Sequence, residues 1–175
     1  CRPGTAAAPP PGHGRREASE LVACLREADV ATLVDVRRYP GSRRNPQFNQ
    51  KQLAAALAKA GIGYRHAVEL GGLRSNEPGE ERFACLGSFA GYAARMGTPE
   101  WQDALALVLD EKRSCVMCAE TPWLRCHRRF ISELLVARGH EVVHLLRPGE
   151  REPHRPHPAA EVRDGRLYLC GSLVG

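Results

Sequence analysis

Lysine is almost missing from this basic chain: among 25 Lys and Arg residues only Lys51, Lys59 and Lys112 are lysines. The net charge of +5 therefore sits on guanidinium groups, whose rigid forks of donors suit phosphate and carboxylate oxygens. A GC-rich codon bias also turns lysine into arginine, so the placement of the arginines is informative and their number is not. Aromatic residues make up only 6%, which argues against an extended base-stacking platform. No apolar run approaches the roughly 18–20 residues that span a bilayer, and the start CRPGTAAAPPPGHG lacks the charged-then-apolar order of a secretory leader. No membrane partner is expected. Cysteines stand at positions 1, 24, 85, 115, 118, 126 and 170, without the dense spacing of a small disulfide-built domain. Free thiols in a reducing cytoplasm are the expectation. There is no internal repeat.

What is present alternates between helical and extended patterns. Residues 1–11 are Ala, Pro and Gly without periodicity and read as a tail before one domain over 12–175. Ala18, Leu21, Val22, Leu25 and Ala28 recur at helical spacing. The run 31-ATLVDVR-37 predicts a buried strand that opens into a loop at Pro40-Gly41. Asn49 with Gln52 offers a capping box for a helix carrying Leu53, Ala56 and Leu57 and stopped by Gly61. A short strand over 62–68 leads to Leu70-Gly71-Gly72, and a helix follows over 80–95. Thr98 caps the next helix, with Pro99 at its first position. After a strand at 114–118 a helix runs from Leu124 to Arg138, ended by Gly139, and 141–146 is another strand. Asp164-Gly165 between two alternating segments signals a C-terminal β-hairpin. Together these predict a single three-layer α/β domain, a mostly parallel sheet with helices on both faces.

Ligands of open parallel sheets gather outside the carboxyl ends of the strands. Beyond the first strand end stand Asp35, Arg37, Arg38, Ser42, Arg43 and Arg44, and Tyr64 and His66 lie just inside the second. The third opens into 118-CAETPWLRCHRR-129, with Arg125, Arg128 and Arg129. Two arginine-rich loops at one sheet edge predict an anion pocket. Asp35 taken alone reads as an acceptor that orders its loop, and His66 and His144 as wall or core residues. Cys115 and Cys118 form C-x-x-C, but residues three apart on a strand face opposite ways, so they do not chelate one ion. Cys126-His127 has no second paired set at ligand spacing, so neither metal nor cofactor is expected. Cys118 stands seven residues before Arg125; a thiol at a strand end facing arginines and helix N–H groups loses its proton below the usual value of about 8.5. Cysteine phosphatases and sulfur transferases use a related layout, but with five rather than six intervening residues and without the equivalents of Pro122 and Trp123. Cys126, in the first helical turn, is the rival nucleophile, with Glu120 or His127 to move the proton.

The segments 33-LVDVRRYPGSRRNPQFN-49, 61-GIGYRHAVELGG-72, 117-MCAETPWLRCHRR-129 and 152-EPHR-155 resemble the bacterial domain-of-unknown-function family 488, over about residues 12–169. The resemblance implies a site built from 12-GHG-14, with His13, from Asp35 to Arg37 with Pro40, Ser42 and Arg43, and from Cys118 to Glu120 with Cys126 to Arg128. Two features depart from the family pattern: TAAAPPP replaces an apolar first strand, and the loop after Gly72 is short. The expected function is a cysteine-dependent enzyme acting on a phosphate-bearing small molecule or nucleic acid. The alternative is a non-catalytic nucleic-acid-binding module, and a third reading is a metal enzyme using Cys126, His127 and a carboxylate.

Overall fold

A computed structural model describes residues 17–72, 80–111, 113–120 and 122–174. Helix α1 (Ala18–Glu27) precedes strand β1 (Thr32–Asp35), and α2 (Gln50–Lys59) precedes β2 (Gly63–His66). Helices α3 (Ala90–Met96) and α4 (Pro99–Asp110) lead to β3 (Ser114–Met117), followed by α5 (Arg128–Ala137). The three strands form one parallel sheet in the order β2-β1-β3. Asp35 is level with both His66 and Met117, so the three carboxyl ends finish at one edge. That register carries Val36, Ala67 and Cys118 to a common rim, with Arg37 one residue beyond it.

Strand alternation sorts the side chains into two cores. Leu33, Cys115 and Met117 pack with Leu21 and Leu25 of α1 and with Leu53 and Leu57 of α2. Val34, Val36, Val116 and Cys118 pack with Tyr92, Trp101, Leu105, Phe130 and Leu134 from α3, α4 and α5. Cys115 and Cys118 thus belong to opposite faces, as the C-x-x-C argument requires. Each fully buried leucine contributes about 1.5–3 kcal/mol, so truncating Leu57 would loosen α2 from the sheet.

Local chemistry explains most of the boundaries. The Thr98 side chain accepts from the Trp101 backbone N–H, and Pro99 occupies the first turn of α4. The capping box at Asn49 does not form: its side-chain oxygen accepts instead from the Ser42 backbone N–H and ties the preceding loop to α2. The helix expected over 80–95 is divided: a 3-10 segment (Glu81–Phe89), itself broken at Gly87 with φ +56, precedes α3. The helix expected from Leu124 begins at Arg128, after a separate 3-10 turn, Trp123–Arg125.

The parallel sheet is smaller than the sequence implies. Strand β4 (Val143–Arg147) pairs antiparallel with β5 (Glu150–Pro153), because the intervening Pro148-Gly149 turn returns the chain at once. Strands β6 (Ala160–Arg163), β7 (Arg166–Leu169) and β8 (Ser172–Leu173) form a separate antiparallel sheet. Asp164 and Gly165, between β6 and β7, both have positive φ, as a two-residue turn of this kind needs. The expectation of free thiols fails at one pair: Cys85 and Cys170 are joined in a disulfide. Their separation of 85 residues left no local signal of pairing. No helix among the described residues is long and apolar enough to cross a membrane.

Candidate functional site

Just past the carboxyl edge of the parallel sheet lies a pocket of about 290 Å³. Arg37, Arg38 and Tyr39 line it from the loop after β1, Gly72 and Phe89 from the neighbouring segments, and Cys118, Glu120, Arg125, Cys126 and His127 from the loop between β3 and α5. Cys118 is the first residue beyond β3. Cys126 has extended backbone, φ −120 and ψ 147, whereas His127 is already helical. This change of conformation between neighbours turns both side chains toward Cys118. His127 Nδ1 lies 3.7 Å from each sulfur. Cys126 was expected in the first turn of the helix, and its extended backbone outside that helix is what allows the convergence.

The ring of His127 is buried and held by close neighbours. The edge of Tyr92 lies against it at a centroid distance of 5.1 Å. A β-carbon added to Gly72 would come within 2.6 Å of Nδ1, so only glycine leaves room for the ring in this position. Nε2 is buried without a hydrogen-bond partner among the described residues. Beneath the cluster, Arg128 is fully buried and donates to the Glu120 carbonyl at 2.6 Å.

Two sulfurs this close do not ionise alike. The Cys126 thiol is lowered, chiefly because Cys118 donates its S–H to it, with help from His127 and the charge of Arg128 against the cost of burial. Cys118 is raised by the same hydrogen bond and by burial. His127 is equally near both sulfurs, so the two cysteines share one proton-accepting neighbour. Cys115, in the other core, is raised by burial.

The remaining candidates divide. Asp35 and Arg37 form a buried bidentate pair, at 2.8 and 2.6 Å, and Asp35 also accepts from the Arg37 backbone N–H and from the Tyr64 hydroxyl. Arg37 also donates to the Phe48 carbonyl. It lines the pocket, but its charge is largely compensated. Tyr64 is held to Asp35 instead of facing the pocket, with its pKa raised by burial and by the carboxylate. His66 contacts the Arg37 carbonyl at 2.8 Å and lines a different hollow with Glu69, Glu100 and Asp103. The Ser42 hydroxyl accepts from the Asn45 backbone N–H, a turn role. Arg43 and Arg44 are exposed and do not line the pocket. Arg129 leans toward Glu133, Nε to Oε1 3.9 Å, and toward the ring of Trp123. His13 lies outside the described residues. The loop after β1 turns away after Tyr39, which separates Ser42, Arg43 and Arg44 from the pocket that their sequence position promised.

Sequence reasoning reads His144 as a wall or core residue, as it is, but misses that it supports the cysteine loop together with Trp123 and His154. Trp123 is buried and stacks on His144 at 3.8 Å and 10°. His144 Nε2 contacts His154 Nδ1 at 3.0 Å, and His154 Nε2 lies 3.3 Å from the buried Glu133 carboxylate. The histidine of 152-EPHR-155, a segment that carries the family resemblance, is part of this wall.

An α/β protein with a cysteine–histidine cluster at the carboxyl edge of a parallel sheet is the class that fold and site define. The chain belongs to the family described as Domain of unknown function DUF488, whose model matches residues 17–135. The match takes in the pocket residues and stops before His144 and His154. No curated protein and no solved structure matches the chain.

Proposed function

We propose that this protein is a three-layer α/β enzyme that binds a phosphate-bearing substrate, a nucleotide or nucleic acid, and that its reaction depends on the cluster of Cys118, Cys126 and His127. The observation that carries this reading is the meeting of Arg38 and Arg125 with both sulfurs and His127 in one pocket. Arg38 and Arg125 offer charge at the rim, and Arg128 supplies a buried positive field behind the sulfurs. Arg37 positions the loop through Asp35. Cys126 is the more acidic sulfur, and His127, beside both, is placed to hold or pass a proton. Glu120 is exposed on the pocket wall and is the second candidate for proton transfer.

A non-catalytic nucleic-acid-binding role is favoured by one separate observation. Tyr39 is 71% exposed at the rim with Arg38 over its ring, and Arg43 and Arg44 continue a basic surface beyond the pocket. This reading predicts binding that falls steeply with salt and survives Cys126→Ser.

Thermal stabilisation by inorganic phosphate, nucleotides and short oligonucleotides tests both readings. The enzyme reading expects stabilisation that Arg38→Gln and Arg125→Gln weaken, and turnover of the stabilising compound that Cys126→Ser abolishes. Stabilisation by none of them, or unchanged binding in both arginine variants, would sink the anion pocket.

A further inference from the structure

We propose that Cys118, Cys126 and His127 bind a divalent metal ion of the thiolate-preferring class, with zinc as the reference ion and the fourth position open to the pocket. The inference rests on the reading above only for what fills that fourth position, and it makes the sulfurs ligands.

Geometry carries the proposal. The two Sγ atoms and a ring nitrogen of His127 lie within 4.8 Å of one another, and all three residues are buried. Tetrahedral zinc with bonds of about 2.3 Å to sulfur and about 2.0 Å to nitrogen sets a sulfur–nitrogen edge of about 3.6 Å and a sulfur–sulfur edge of about 3.8 Å. Both observed sulfur–nitrogen edges are 3.7 Å. With the sulfur–sulfur edge within 4.8 Å, a shift of the two sulfurs of at most about 1 Å toward one another brings one point to bonding distance from all three donors. Cys118 stands just past β3, and Cys126 and His127 just before α5, so the sheet and a helix flank the donors.

The His127 ring is also held for this task. Gly72 leaves the face beside Nδ1 clear, where a β-carbon would lie within 2.6 Å of that atom. Two thiolates and one imidazole exclude magnesium and calcium, which demand oxygen ligands, and fit zinc, iron(II) or cobalt(II). Two thiolates neutralise a divalent ion. Three protein ligands with one side open to a cavity are the arrangement of a catalytic site; a structural site would supply a fourth. The open side faces Arg38 and Arg125, so the fourth ligand is an oxygen of the bound anion or a water beside it. The sequence argument missed this set because Cys118, the third ligand, stands in a C-x-x-C whose other cysteine faces the opposite core.

The test is a cobalt(II) titration of the reduced, chelator-treated full chain. Expected is one equivalent bound, with thiolate-to-cobalt absorption in the near ultraviolet and visible bands of tetrahedral intensity, both displaced by zinc. Cys118→Ser, Cys126→Ser and His127→Ala should each weaken binding at least tenfold, whereas Cys115→Ala should leave it unchanged. Far-ultraviolet circular dichroism identifies any variant that has merely unfolded; for such a variant, zinc protection of the wild-type Cys118 and Cys126 from alkylation is read instead. A spectrally silent wild-type protein, folded ligand variants that still bind, equal loss in Cys115→Ala, or thiols that zinc leaves unprotected would each overturn the site. Inorganic phosphate binding by the metal-free protein is measured in parallel. If phosphate binds and cobalt does not, the metal site fails and the anion pocket stands; the reverse result removes the pocket and keeps the metal.

Discussion

Acid should undo this protein through His144. Burial lowers the pKa of this imidazole from 6.5 to about 3, and the charges of His154 and Arg128 add to the shift. The groups facing it are His154 at 3.0 Å, the Trp123 ring at 3.8 Å and, through His154, the Glu133 carboxylate. The folded protein therefore keeps His144 neutral where the unfolded chain takes up a proton. Stability from this group is complete above pH 6.5 and declines as pH falls toward about 3. The slope approaches about 1.4 kcal/mol per pH unit, so a fall of two units below the unfolded value costs about 2–3 kcal/mol. Urea unfolding from neutral pH to about pH 4.5, in the wild type and in His144→Phe, isolates the term, because ordinary carboxylates contribute alike to both. Phenylalanine keeps the stack on Trp123 and cannot be protonated. The variant should start less stable, having left His154 Nδ1 without its partner, yet lose stability with acid more slowly. Parallel slopes in the two proteins would refute the assignment.

Other perturbations separate the roles of neighbouring residues. Gly72→Ala forces a β-carbon against His127; it should destabilise by roughly 1–3 kcal/mol and disturb the imidazole signals of His127 in NMR spectra more than those of His66. Asp35→Asn breaks the buried bidentate pair with Arg37 and should cost about 3–5 kcal/mol in urea unfolding, with the double change to Asn and Met less than the sum of the singles. Replacing Cys85 and Cys170 by serine removes a link across 85 residues and should lower stability by about 2–4 kcal/mol by thermal melting. Arg125→Gln should weaken phosphate binding severalfold in calorimetry and Arg43→Gln should not, since only Arg125 lines the pocket.

Where signals are local, sequence and structure agree. The Thr98-Pro99 start of α4 and the stop at Gly139, φ +84, follow from backbone rules that act within four residues. The apolar runs in 31-ATLVDVR-37 and at 114–118 mark the strands, and the pocket lies at their carboxyl ends. The rest depends on contacts far apart in the chain. Asn49 had two uses for its side chain, and only the fold shows that Ser42 takes it. Arg43 looked equal to Arg38 by spacing, but the loop turns between them. Arg37 reads by position as an anion ligand, but Asp35, two positions away, holds its guanidinium. Cys85 and Cys170 are a pairing that no short window contains, whereas Cys118, Cys126 and His127 share one window but meet only through the conformation of the loop between them.

The loop between Cys118 and Cys126 can bring both sulfurs to His127 only if its middle is anchored. Pro122 and Trp123 replace the glycines that a phosphate-cradling loop would use, and Trp123 is driven into the wall formed by His144 and His154. Glu133 completes that wall from α5 itself, lying 3.3 Å from His154 and accepting from the His157 backbone N–H. The helix that begins at the cluster is thus tied, about one and a half turns later, to the strands that support the loop. This explains how ligands contributed from within residues 17–135 depend on histidines beyond that span. It also locates the buttress of the site in the buried polar wall; the exposed arginines carry none of it. Protonating His144 inserts charge into that wall, so loss of the cysteine cluster's geometry and loss of global stability should follow the same acid transition.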